Sequence, residues 1–258
     1  LVISLTAILK HIGSLRNAGY EIEFKSSSGY RLVHRIERMN REEIAIAVHE
    51  KSELFEDIIY FDSIDSTNQV AKQLNNQRNT LIVANQQTAG RGRLGRTWES
   101  HDEQGIYMTM KMHPDISPAE AVNMTQLTAL AVVRGLKKIF DIDLKIKWPN
   151  DIVFKGKKLA GILTEMTTEI DRIDLLMVGI GINIYHERFE KDLIVKAISL
   201  KQIIADSEIS RIKLIASIVD EFTKLYELFI KHRDLEFVRI ELNEFSSLIG
   251  KEIMTIDR

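Results

Sequence analysis

The sequence predicts an α+β protein: a central mixed β-sheet flanked by helices, preceded by a small helix-and-hairpin unit. Three observations carry this. Apolar stretches of strand length follow one another with few helices between them, which favours an antiparallel or mixed sheet over a doubly wound one. Two long segments, 118–140 and 211–232, carry apolar residues at helical spacing. The stretch 1–33 reads as a helix followed by a hairpin. With 258 residues, 45% apolar and 28% charged, the chain can bury a sizeable core and is too apolar to be disordered.

Taken in order, Ile8, Ile12 and Leu15 define the first helix, with Ser4 placed to cap its start and Gly19 its end. Tyr20–Phe24 alternates, Ser26–Gly29 is turn material, and Tyr30–Val33 returns. Helix then hairpin is the second half of a winged helix-turn-helix; a generic helix-hairpin unit is the alternative. Residues 34–52 read as a charged linker and a short helix bearing Ile44, Ala47 and Val48. Ile58–Phe61 is a strand. A helix starts at Asp65-Ser66-Thr67-Asn68 and carries Val70, Ala71 and Leu74. Strands follow at Leu81–Ala84 and Ile106–Met112. The helix Pro118–Phe140 turns Met124, Leu127, Leu130, Ala131, Val133 and Leu136 inward. Strands around Leu144–Trp148, Lys158–Met166 and Leu175–Ile182 precede the helix 211–232, whose apolar face holds Ile215, Ile218, Val219, Phe222 and Leu225. From Leu248 to Arg258 an apolar strand is expected that simply stops, and Leu1 opens inside a helix-like stretch. Both ends read as cuts through domains.

Composition removes several function classes. The 35 basic and 37 acidic residues give a net charge of −2, so any nucleic-acid contact must come from a local patch. Cysteine is absent, which excludes disulfides, thiol catalysis and zinc-thiolate sites and suits a reducing cytosol. No apolar run reaches the roughly 18–20 residues that span a bilayer. No leader pattern and no internal repeat is visible.

The most informative stretch is Gln87-Thr88-Ala89-Gly90-Arg91-Gly92-Arg93-Leu94-Gly95-Arg96-Thr97-Trp98. Glycine permits close backbone approach, and arginine offers a permanent forked donor set for phosphate or carboxylate. A solvated basic loop or an RNA-binding tract is the alternative, but the position between apolar strands favours a ligand loop. In Lys147-Trp148-Pro149-Asn150-Asp151, a strand ends and Asn150 and Asp151 enter a turn, where they can bond a ligand, a cation or only the local backbone. Lys158 opens an apolar strand and can project into a site or lie at the surface. Gly179 and Gly181 within a strand mark close approach by a ligand or another backbone, with Asn183 as a polar end. Asp65–Asn68 leaves small polar groups free beyond a single helix cap.

In this combination and order, the motifs resemble those of the biotin protein ligases, specifically the bifunctional ligase/repressors of bacteria and archaea. Gly90–Arg96 is similar to the family's GRGRxGR loop, Lys147–Asp151 to KWPND, Lys158–Leu163 to KLAGIL and Gly179–Asn183 to GxGIN. The likeness runs from the N-terminal helix through Phe245. It implies a cytoplasmic enzyme that joins biotin to ATP, with Mg²⁺ assisting, and passes biotin from biotinyl-5′-AMP to a lysine of a biotin carboxyl carrier domain. By carry-over, Ser66, Thr67, Asn68 and Gln87 hold the ureido head. Arg91, Gly92 and Arg93 close over carboxylate and phosphate, and Lys158 acts with Arg93 in catalysis. Gly90, Arg96, Trp98, Asn150, Asp151 and Asn183 serve the nucleotide, with Trp98 facing adenine. Ser4, Thr6, Lys10 and His11 face operator DNA. The resemblance further implies a homodimer formed through the sheet and favoured by biotinyl-AMP. It divides the chain into a partial winged helix-turn-helix (1–35), a catalytic domain (36–246) and the first strand of an SH3-like barrel (247–258). Two departures stand out: the N-terminal unit begins inside the helix-turn-helix, with Leu5 where many relatives carry arginine, and the C-terminal end holds only the first strand of the SH3-like barrel. The rival readings are a lipoate ligase and a non-enzymatic, effector-sensing repressor. An Arg-Gly loop this rich in glycine is also expected to be mobile until a ligand orders it.

Overall fold

In the computed structural model, which describes residues 4–17, 21–26, 29–34, 39–101, 103–169, 172–189, 196–205 and 208–252, the N-terminal residues form helix α1 (Leu5–Asn17) and a hairpin of β1 (Glu21–Lys25) and β2 (Gly29–His34). Ser4 is the expected cap: its Oγ accepts from the Ala7 N–H at 3.3 Å. Phe24 and Tyr30 face each other across the hairpin with ring centroids 4.9 Å apart. Gly19, Ser27 and Ser28 lie outside the described residues. This unit ends at Arg38 and a second begins at Met39, whereas the sequence placed the boundary at 35/36.

The second unit is built on a seven-stranded sheet. In chain order it contains α2 (Arg41–His49), β3 (Asp57–Ile64), α3 (Thr67–Gln73), β4 (Thr80–Gln87), β5 (Gly105–Met112) and α4 (Pro118–Lys137). There follow β6 (Lys145–Lys147), β7 (Asp151–Phe154), β8 (Lys157–Glu169), β9 (Arg172–Asn183), α5 (Leu200–Ile204), α6 (Arg211–His232) and α7 (Arg239–Phe245). The strand order is β3-β4-β5-β9-β8-β7-β6. Only β3 and β4 run parallel; every other neighbouring pair is antiparallel, so the sheet is mixed as expected.

Period-two alternation sorts the central strands onto two covered faces. Leu176, Val178, Ile180 and Ile182 of β9 join Ala160 and Ile162 of β8 in the large core with α2, α4 and α6. Leu175 and Met177 point the other way, under α3, with Ala71 and Ile82. Gly179 and Gly181 fall on that second face, and it is there that the site is built.

The long helices start where their caps allow. At α4, Ser117 and Glu120 close a reciprocal capping box with Pro118 in the first turn, and the helix ends at Lys137 rather than Phe140. At α6, Ser210 accepts from the Lys213 N–H, and Arg233 closes the far end in the left-handed conformation. The two helices meet at Gly135. A Cβ built there would stand 2.8 Å from Ile218 Cγ1 and 2.9 Å from its Cα. Gly135→Ala would normally help a helix. Here it forces α4 and α6 apart, and a net loss of about 1–3 kcal/mol is expected in urea unfolding.

Three differences from the sequence reading have local causes. Strand β7 was not expected; its four residues begin with Asp151 and follow directly on a turn, too short a run to show alternation. Beyond Ser246, which bridges to Ile146 of β6, residues 247–252 form a turn with Gly250 at φ +78°, not a strand; residues 253–258 lie outside the described residues. Helices α5 and α7 are short segments in stretches to which the sequence reading assigned no element.

His186, just past β9, is buried and stacks on Phe189 at 5.3 Å. Burial, and secondarily the nearby His101, pushes its pKa down to about 4. The unfolded chain therefore binds the proton more readily, and stability present above about pH 6.5 is lost as pH falls towards 4. In His186→Phe, the stability lost between pH 6.5 and pH 4 should shrink by about 2–3 kcal/mol, measured by denaturant unfolding across that range.

Candidate active site

The second face of the sheet opens into a solvent-accessible cleft. Its floor is made of glycines. Gly161 of β8 pairs directly with Gly181 of β9, and Gly179 lies one pleat away. Any Cβ would collide with what lies above them: Asn68 Oδ1 at 2.4 Å from Gly179, Trp98 Cε2 at 2.4 Å from Gly181, and Trp98 Cζ3 at 2.8 Å from Gly161. The indole of Trp98 thus lies directly on the sheet backbone. The close approach that the glycines signalled is made by side chains of this chain.

One wall is the start of α3. Ser66 is its N-cap residue yet makes no side-chain cap bond, which leaves its hydroxyl to the cleft. The Thr67 N–H donates to Gln87 Oε1 at 2.8 Å, and the Thr67 hydroxyl approaches the same oxygen at 3.1 Å. Gln87 Nε2 donates to Ser100 Oγ at 2.9 Å. Behind Thr67, Thr109 Oγ1 of β5 lies 2.8 Å from Thr67 Oγ1 and 2.6 Å from Asn68 Oδ1. Asn68 Nδ2 donates to Glu165 Oε2 of β8 at 2.7 Å. The loop that follows α3 is held by the buried Lys111, whose Nζ donates to the Asn76 carbonyl and, at 2.9 Å, to Asn76 Oδ1. Burial lowers the pKa of Lys111, opposed by the charge of Asp174.

The other wall is cationic. The Arg-Gly loop closes on itself through Trp98 N–H to Gly90 O (2.9 Å) and Gly92 N–H to Arg96 O (2.7 Å). Its tip needs left-handed backbone at Leu94 (φ 57°) and Gly95 (φ 73°). Arg93 Nη1 reaches across to Asn150 Oδ1 at 3.1 Å, while Asn150 Nδ2 holds the Ile162 carbonyl at 2.9 Å. The loop tip is thereby tied to the turn after β6. Lys158 enters at the start of β8. Its Nζ is 2.7 Å from Asp151 Oδ1, an ion pair without hydrogen-bond angles, and 5.1 Å from the centre of the Trp98 ring.

Ten expected residues line this one cleft: Ser66, Thr67, Asn68, Gln87, Arg91, Gly92, Arg93, Trp98, Asn150 and Lys158. Four do not. Gly90 is packed against the Trp98 carbonyl and Ser100, so it shapes the loop. Arg96 returns the loop to its base, and Asp151 sits behind Lys158. Asn183 is buried and donates to the Lys158 and Ile198 carbonyls, at 3.4 and 3.2 Å, so it holds the strand that carries Lys158. Thr109, Ser100, Glu165 and Gly161 were missed as site residues. In the other unit, Ser4, Thr6, Lys10 and His11 are all exposed along α1.

The comparisons with known proteins place the chain among ligases. Residues 60–183 match the model of the Biotin/lipoate A/B protein ligase family. The chain is 40% identical over 235 residues to the bifunctional ligase/repressor BirA of Bacillus subtilis, covering 89% of this chain and 71% of that protein. It is 30% identical over 232 residues to BirA of Escherichia coli, covering 89% and 70%. The biotin protein ligase of Aquifex aeolicus, solved with biotin and ATP, superposes with a TM-score of 0.68 at 28% identity, covering 76% of this chain and 81% of that one. The fold is that of the biotin protein ligases. The chain belongs to the biotin/lipoate A/B protein ligase family.

Proposed function

We propose that the chain is an ATP-dependent biotin protein ligase. It forms biotinyl-5′-AMP and passes biotin to a lysine of a carboxyl carrier domain, in the cytoplasm. The observation that carries this is the convergence, over one glycine floor, of a small polar head pocket (Ser66, Thr67, Gln87) and a cationic rim (Arg91, Arg93, Lys158). The head pocket suits a ureido ring, and the rim suits a carboxylate meeting an α-phosphate. The similarity to a biotin ligase solved with both substrates supports the reading.

In the proposed reaction, the biotin carboxylate attacks the α-phosphorus of ATP and pyrophosphate leaves. Lys158 and the loop arginines neutralise the crowded negative charge, an interaction strongest in the transition state. The carrier amine then attacks the acyl carbon and AMP leaves. No protein nucleophile is required, because positioning and charge neutralisation suffice. Mg²⁺ enters on the ATP phosphates as part of the substrate; among the described residues, no three metal-ligating side chains cluster. Incubation with ATP and either biotin or lipoate, read as pyrophosphate release, tests the assignment. Release with lipoate and not biotin would favour the sister ligase.

We also propose that the N-terminal unit binds operator DNA and that biotinyl-AMP promotes binding through dimerisation. Thr6 and Lys10 are one turn apart on the exposed side of α1, with His11 beside them. Residues 247–258 are proposed as the start of a small SH3-like domain. Operator binding should weaken steeply with salt, since the phosphate contacts are electrostatic. A gel-shift titration insensitive to salt would count against this role. Among the described residues, no helix is long and apolar enough to cross a membrane.

A further inference from the structure

Two consecutive polar residues of α4, Thr125 and Gln126, stand between the buried Met124 and Leu127. Both reach the sheet. Thr125 Oγ1 lies 2.9 Å from Thr164 Oγ1 of β8, and Gln126 Nε2 donates to the Pro149 carbonyl at 2.8 Å. Gln126 belongs to none of the motifs above, and α4 covers the face of the sheet opposite the cleft. It nevertheless holds the peptide that joins Pro149 to Asn150, where the site's turn begins.

That turn presents two side chains to the site. Asn150 Oδ1 receives Arg93 at 3.1 Å, and Asp151 Oδ1 stands 2.7 Å from Lys158 Nζ. On the strand side the turn is well fixed. The Asn150 carbonyl accepts from the Ile162 N–H at 2.9 Å, its Nδ2 donates to the Ile162 carbonyl at 2.9 Å, and Asp151 pairs with Lys147 and Gly161. Before Asn150 the restraint is thinner. Proline has no N–H to give, and Trp148 is 66% exposed. The Pro149 carbonyl is a strong acceptor that turns to whatever donor it finds. Gln126 supplies that donor from a helix packed into the core, and so fixes the plane of the 149–150 peptide. The peptide is rigid, so its tilt sets where the Asn150 Cα and the chain after it lie. Without Gln126, water can satisfy the carbonyl from several directions, and the turn loses its single orientation.

We propose that Gln126 is a positioning residue for adenylation: from the far side of the sheet it sets the turn at 148–150, so that Asn150 and Asp151 hold Arg93 and Lys158 at the reacting groups. This rests on the ligase reading and deepens it, because it assigns to the opposite face a part in the chemistry of the cleft.

Two variants of similar shape test it. Gln126→Met removes the donor, and Gln126→Glu sets a carboxylate against the carbonyl. Pyrophosphate release at saturating biotin and ATP, biotin affinity by calorimetry, and amide exchange at Ile162 by NMR are measured well below each Tm. Release should slow about tenfold in Gln126→Met and at least as much in Gln126→Glu, with biotin affinity changed by less than about threefold. A merely structural role would lower Tm and leave release unmoved. Asp151→Asn should slow the Gln126→Met chain by clearly less than it slows wild type, because both changes act on the orientation of Lys158. Exchange at Ile162, whose N–H is held by the Asn150 carbonyl, should quicken. Wild-type release in both variants, losses that multiply in full with Asp151→Asn, or an equal loss of biotin affinity overturns the proposal. If the unmutated chain releases no pyrophosphate with biotin and ATP, the ligase reading fails instead. The hold on the turn is then read from Ile162 alone: faster exchange in Gln126→Met supports it, and unchanged exchange overturns it.

Discussion

The Lys158→Ala variant is expected to release pyrophosphate about a hundred- to a thousandfold more slowly than wild type, with biotin affinity changed by less than about tenfold. The ammonium sits at the rim of the cleft, 34% exposed, so it can meet a charged ligand without first leaving a buried pair. Asp151 orients it at 2.7 Å, and its stem lies along the backbone of Gly161, where a built Cβ would be 3.0 Å from Lys158 Cε. Asn183 holds the Lys158 carbonyl from below. A cation fixed in this way is ready for charge that develops during attack and contributes little to the neutral ureido head. The effect should therefore appear in turnover. Asp151→Asn should give a smaller loss in the same sense, because the lysine keeps its charge and loses its orienting partner. Pyrophosphate release by Lys158→Ala near the wild-type rate would show that Arg91 or Arg93 supplies the charge.

Most of the elements were legible because a sheet covered on both faces writes long apolar runs into the chain, as in Leu175–Ile182, and because α4 and α6 carry their apolar residues at helical spacing. The cleft residues were legible where a residue type is scarce and purposeful, as in the Arg-Gly loop. What was not legible depends on register. Glu165 has the same parity along β8 as Gly161 and Leu163, but nothing in one strand says that Asn68 will arrive above it. Thr109 looks like any residue of an apolar strand until β4, β5 and β9 are aligned. Asn183 was read as a ligand anchor because it ends a glycine-bearing strand; its amide faces the Lys158 and Ile198 carbonyls instead. Trp98 was expected to offer a face to adenine. The structure gives that indole a floor of Gly161 and Gly181, with its Nε1 buried and unpaired among the described residues. The expectation of a mobile loop took account of its glycines and missed three backbone bonds within it and one bond across the cleft.

That bond across the cleft sets the expected behaviour of Arg93→Gly. The base of the loop is a small hairpin held by Gly90, Gly92, Arg96 and Trp98, and none of those bonds involves the Arg93 side chain. The tip is different. Leu94 and Gly95 both need left-handed backbone, and Leu94 is 88% exposed, so little holds the tip down except the 3.1 Å contact from Arg93 to Asn150. Removing the guanidinium frees the tip and takes away one of the cations facing the phosphate. Lys158 and the head pocket remain, so the adenylate still forms. Retention is what suffers: loss of one charge-assisted contact corresponds to roughly ten- to hundredfold faster escape. An open cleft also admits water to a mixed anhydride that closure would protect. Released biotinyl-AMP acylates any exposed lysine, so the two half-reactions separate. The variant is mixed with ATP, biotin and an unrelated lysine-rich protein, and the bystander is probed for biotin at matched adenylate production. Labelling well above that given by the unmutated enzyme is the expected result. Equal labelling would show that the intermediate is retained by the base of the loop and by Lys158, with no part played by the tie to Asn150.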